Sequence, residues 1–155
     1  MITLGSAGKL RTRQRSFEVE IEGVEAVHAL RDSLITLHRD LIAVARKRYE
    51  RANGRVEGAV QLLQLLTDDE AFAWLRPLSS LIVDLDERLA DPEPDLIDVT
   101  RANVTALWMP TGSFWATYAQ VLQEDPAAAV THGEVRAALA ALPSRSPSAP
   151  AHVLN

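Results

Sequence analysis

From Val24 to Leu139 the apolar residues of this chain recur at intervals of three and four, with no credible alternating run among them. That spacing gathers side chains on one face of an α-helix and is wrong for a strand, whose side chains switch faces at every residue. The sequence therefore predicts an all-α protein. We expect a helical bundle of about four main helices plus one or two short ones, in antiparallel up-down order. The one short alternation, Phe17-Glu18-Val19-Glu20-Ile21, precedes this stretch. It reads either as an extended lead-in or as the frayed start of the first helix.

The periodicity divides at recognisable punctuation. A first helix is expected from Val24 to Ala52, because Val27, Leu30, Leu34, Leu37, Leu41 and Ala45 form one stripe. Asn53-Gly54 supplies a left-handed stop, and Arg46, Lys47, Arg48 and Arg51 suit the negative end of the helix dipole. A short helix follows over residues 57–66. A third is expected from Thr67 to Ala90, with Thr67 and Glu70 at capping-box spacing and Pro77 kinking it near Arg76. On a wheel this segment is apolar over most of its girth, with Phe72 and Val83 opposite the main face. Such a helix should be the central element of the bundle or lie at a subunit interface. Further helices are expected over residues 95–109 and 113–124, and one capped by Asp125 with Pro126 in its first turn.

Length and composition set limits on function. A chain of 155 residues fits one domain. We place that domain at residues 17–142, between a disordered basic arm (1–16) and a disordered tail (143–155) rich in Pro and Ser. The chain has no cysteine, which excludes disulfides, thiolate metal sites and a cysteine nucleophile. Its net charge of −5 argues against nucleic-acid binding, whose affinity comes from neutralised phosphates. No apolar run has membrane-spanning length, and the N-terminal stretch lacks the apolar core of a secretory signal. The expected setting is the cytoplasm, and the bias to Arg over Lys suggests a bacterial source.

Three phrases carry a resemblance. Leu37-His38-Arg39-Asp40-Leu41, the run from Leu62 to Leu66 followed by Phe72-Ala73-Trp74-Leu75-Arg76-Pro77-Leu78-Ser79, and Asp125-Pro126 through His132 resemble a bacterial family of small helical proteins of unknown function. The resemblance implies a helical fold and a cytoplasmic setting, but no activity and no functional residue.

Candidate sites are sparse. Glu25-x-x-His28 has the spacing used in di-iron bundles, but such a site needs two copies and both side chains lie off the apolar stripe. No metal and no cofactor is expected. Asp84 and Asp86 diverge on a helix by about 160°, too far to share an ion. Arg46-Lys47-Arg48 lacks interleaved aromatics and suits a solvated helix end better than an RNA site. His38 borders the stripe of the first helix and is most simply a core-edge residue. Arg76, Asp86 and Ser79 fall on the second side of helix three, where a pair of Arg76 with Asp86, or with an acid on another helix, would compensate its burial. Trp108, Phe114, Trp115 and Tyr118 form an aromatic corner that plugs a bundle end, and Asn103 sits in an apolar face. No catalytic residue emerges. The expected function is non-enzymatic protein–protein contact, as a homodimer or with another partner. The alternative is a small-molecule or anion site near His38, Trp74, Arg76 and Asp86.

Overall fold

The computed structural model describes residues 5–144, with side chains from residue 8 onward. It is all-α. The elements are α1 (Gly5–Asn53), α2 (Gly58–Asp68), a 3-10 helix (Glu70–Leu75), α3 (Arg76–Ala90), α4 (Leu96–Leu107), α5 (Ser113–Glu124) and α6 (Pro126–Ala140), with no strand among the described residues.

The long helix α1 is the spine. Val27, Leu30, Leu34, Leu37, Leu41 and Ala45 are all buried, as their spacing predicts. Around this stripe pack α6, α3, α4 and the 3-10 helix, with α6 making the most extensive contact. The core is completed by Phe72, Leu75, Leu78, Leu85, Val104, Phe114, Tyr118, Val121, Ala128 and Val135. Asn53-Gly54 ends α1 as expected: Gly54 takes a positive φ of 88° and donates its N–H to Glu50 O at 3.0 Å. Asp125 caps α6 through Ala128 N at 3.0 Å, with Pro126 behind it.

The segment from Thr67 to Ala90 is not the central helix that its wheel implied. Thr67 belongs to the last turn of α2, where its hydroxyl donates to Leu63 O. The cap is Asp69, whose carboxylate accepts from Ala71 N at 2.8 Å and opens a 3-10 helix. Pro77 then sits in the first turn of α3 rather than kinking a longer helix. A 3-10 turn advances about 120° per residue against about 100° in an α-helix, so one wheel cannot span both. Phe72 and Val83, which share a wheel position, accordingly part: Phe72 is fully buried and Val83 is 56 % exposed. Only one face of α3 is buried, through Leu78, Leu81 and Leu85.

Residues 5–16 also differ from expectation. Instead of a disordered arm they form the start of α1, which takes in the alternating Phe17–Ile21 stretch as well. Arg, Lys and Gln are good helix formers, and extending an existing helix costs far less than starting one. The sparse apolar pattern means that the arm has little face to bury within the chain, not that it cannot be helical. Thr12 and Ser16 return their hydroxyls to the carbonyls of Gly8 and Thr12, each at 2.9 Å. Residues 1–4 and 145–155, parts of the two expected tails, lie outside the described residues. Pro143, assigned to the C-terminal tail, offers its carbonyl to Arg101 at 3.0 Å.

Candidate functional site

The four side chains singled out from sequence do not converge. His38 Nε2 lies 2.7 Å from Ser79 Oγ, a bond between α1 and α3. Trp74 stacks on Phe114, with ring centroids 6.0 Å apart. Arg76 is exposed and donates to Thr67 O, closing the turn between α2 and the 3-10 helix. Asp86 accepts from Arg31 Nε at 2.6 Å, so the expected Arg76–Asp86 pair is not formed. The reason is the phase break at the 3-10 helix: Arg76 opens α3 and faces back toward α2, whereas Asp86 faces α1. Asp84 pairs instead with Arg88 at 2.9 Å and lies 3.4 Å from Asn103 Nδ2. Glu25 and His28 are both exposed.

The basic run at the end of α1 has structural partners. Arg46 pairs with Glu50 at 2.7 Å and donates to Val56 O, and Arg48 pairs with Glu124 at 2.7 Å. These contacts pin the α1–α2 loop and the end of α5 to the spine.

Apart from these ion pairs and the Asn103 contact, three hydrogen bonds with a hydroxyl partner cross the helix interfaces among the described residues. Besides His38 and Ser79, Thr131 donates to Asp40 at 2.6 Å between α6 and α1, and Tyr118 Oη meets His132 Nδ1 at 2.6 Å between α5 and α6. Burial holds the His38 imidazole below its usual pKa. Burial, and then the positive charge of Arg136, do the same for His132, while burial raises the Tyr118 phenol. His38 and Ser79 are a base and a hydroxyl in contact. Nucleophilic chemistry would also need a group orienting the base, and no carboxylate bonds the His38 ring among the described residues. Ser79 further turns its hydroxyl back to Leu75 O at 3.3 Å. The Tyr118–His132 pair is enclosed by Trp108, Phe114 and Trp115, so the expected aromatic corner is a packed plug. No group of three or more His, Asp or Glu side chains is placed to hold a metal among the described residues.

What stands out chemically is the first half of α1. From Gly8 to Glu22 every side chain is exposed. Among them are Leu10 and Phe17, each 63 % exposed, with Val19 and Ile21. The residues from Gly8 to Glu22 extend over about 20 Å of helix. Where the arm meets the bundle, Gly23 lies under Ile97; a Cβ there would come within 2.6 Å of Ile97 Cδ1. Beside this contact opens a recess of about 250 Å³ between α1 and the Pro92–Pro94 link, with Val24, Leu96 and Ile97 on its walls. The sequence held a signal for the arm, because Leu10, Phe17 and Val24 repeat every seven residues. It held none for Tyr118–His132 or Asp40–Thr131, which only tertiary packing brings together.

These features define a class: a small all-α protein whose longest helix is shared between a packed core and a projecting arm. No helix among the described residues is long and apolar enough to cross a membrane. Comparison of the chain with protein-family models, with curated proteins and with solved structures finds no match.

Proposed function

We propose that this is a non-enzymatic helical protein that works through protein–protein contact, and that the arm of α1 is its contact surface. The observation that carries the reading is the exposure of Leu10, Phe17, Val19 and Ile21 on one helical segment outside the core. Isolated exposed apolar side chains are ordinary, but a run of them on a projecting helix is a docking element. The polar contacts between helices support the same view: His38–Ser79, Asp40–Thr131 and Tyr118–His132 each tie two helices together, as a scaffold requires. The reading sets the protein in a bacterial cytoplasm, in keeping with its Arg-rich composition and the family its central phrases resemble.

A photo-reactive phenylalanine analogue at position 17, introduced into the full chain in its native cells, tests the reading. Irradiation should give covalent adducts to protein at Phe17, and none at the equally exposed Val130 on α6. An absence of adducts at Phe17 would overturn it.

A further inference from the structure

We propose that the partner of the arm is a second copy of this chain, paired antiparallel along α1; this rests on the contact reading above and names its occupant. Leu10, Phe17, Ile21 and Val24 fall within about 60° of one another on a helical wheel, so they form one narrow seam. Lys9, Arg13 and Glu20 border that seam on one side, while Arg11, Arg15, Glu18 and Glu22 lie about 90–150° from its centre on the other, toward the outer face. The charges are also sorted along the axis. Lys9, Arg11, Arg13 and Arg15 come first, then Glu18, Glu20 and Glu22. None of these seven makes an ion pair among the described residues.

Alone, this order is unfavourable. The cations lie toward the positive end of the helix dipole, and Arg11/Arg15 and Glu18/Glu22 are like-charged neighbours one turn apart. A parallel second helix would lay cation on cation. An antiparallel one, with its two-fold axis between Ser16 and Phe17, sets Arg13 against the partner's Glu20 beside the seam and lays the basic half, Lys9 to Arg15, alongside the partner's acidic half, Glu18 to Glu22. The Arg13–Glu20 pair forms twice, each joining matching flanks, as antiparallel packing requires. The same register brings Leu10 to within one residue of the partner's Val24, beside the recess of about 250 Å³ that Val24 and Ile97 line. The apolar seam by itself would suit an anionic membrane or an acidic protein. The acidic second half of the arm selects a chain with the same charge order reversed in direction.

Sedimentation of the full chain at low ionic strength should show a dimer that weakens as salt screens the exposed pairs. Reversing Arg11, Arg13 and Arg15 to Glu should weaken self-association at least about a hundredfold, since like charge then faces like charge along the whole arm. Reversing Glu18, Glu20 and Glu22 to Lys should do the same. Mixing the two variants should restore a dimer, which a folding defect would not allow. Because the chain has no cysteine of its own, orientation is read by mild oxidation of Leu10→Cys and Val24→Cys proteins. They should cross-link when mixed and not alone. A monomer at all concentrations, a dimer indifferent to both reversals, or cross-linking of Leu10→Cys with itself would overturn the proposal. A monomer that still gives adducts at position 17 with another protein would overturn self-pairing alone and leave the contact reading standing.

Discussion

His38 and His132 sit in interfaces that disfavour their charged forms, one against Ser79 and the other against Tyr118. The pKa of each is lowered, chiefly by burial. In the unfolded chain a histidine takes up its proton near pH 6.5. As pH falls below that value the unfolded state therefore binds protons that the folded state resists, and stability falls until the folded pKa values are reached. Above about pH 7 both states are neutral and the effect vanishes. Thermal melting followed from pH 7.5 down to pH 5 should show this decline. His38→Gln, which keeps a polar atom near the Nε2 position, and His132→Asn, which keeps one near Nδ1, should each make the decline shallower. An unchanged pH dependence in both variants would show that neither ring resists protonation in the fold.

At the scale of elements, stability rests on caps as well as stripes, and the segment around Thr67 separates the two. The Asp69 carboxylate holds Ala71 N at the start of the 3-10 helix, whereas Thr67 only returns its hydroxyl to Leu63 O. Asp69→Ala should cost about 1 kcal/mol, the usual worth of an N-cap. Thr67→Ala should be neutral or slightly stabilising, because it removes a hydroxyl bonded back to its own helix and installs a better helix former. Chemical denaturation of the two variants gives the comparison, and the reverse order would restore Thr67 as the cap. This segment also shows where the sequence was legible. The α1 stripe, the Gly54 stop and the Asp125-Pro126 start depend on local spacing and local chemistry, and each stands where the pattern put it. The path from Thr67 to Arg76 depends on Asp69, not Thr67, supplying the cap and on a change of helical pitch. Neither is encoded by periodicity, so Arg76 and Asp86 were assigned to one face although they turn to different helices. The candidate surface is harder to read for a different reason: its apolar seam is sparse, about one residue per two turns, and only the seven-residue spacing of Leu10, Phe17 and Val24 marks it.

Across the whole molecule, α1 does two jobs, and the boundary between them falls at Gly23. From Val27 to Ala45 its apolar stripe is sealed by α3, α4 and α6; before Gly23 its apolar residues face outward. One helix therefore carries two kinds of apolar residue with opposite consequences. Leu34 is fully buried in the core. Its truncation to Ala removes buried area and leaves a cavity, and should lower the unfolding free energy by about 2–5 kcal/mol. Phe17 is larger, yet 63 % exposed. In dilute solution, where arms are unpaired, Phe17→Ala should change stability by less than about 0.5 kcal/mol, as for other surface substitutions. Denaturation at two protein concentrations resolves the matter. The Leu34→Ala loss should be present at both, whereas any effect of Phe17→Ala should grow with concentration, because only association gives that ring something to pack against. A large loss for Phe17→Ala in the dilute sample would mean that the arm folds back on its own bundle, and the division of α1 at Gly23 would have to be abandoned.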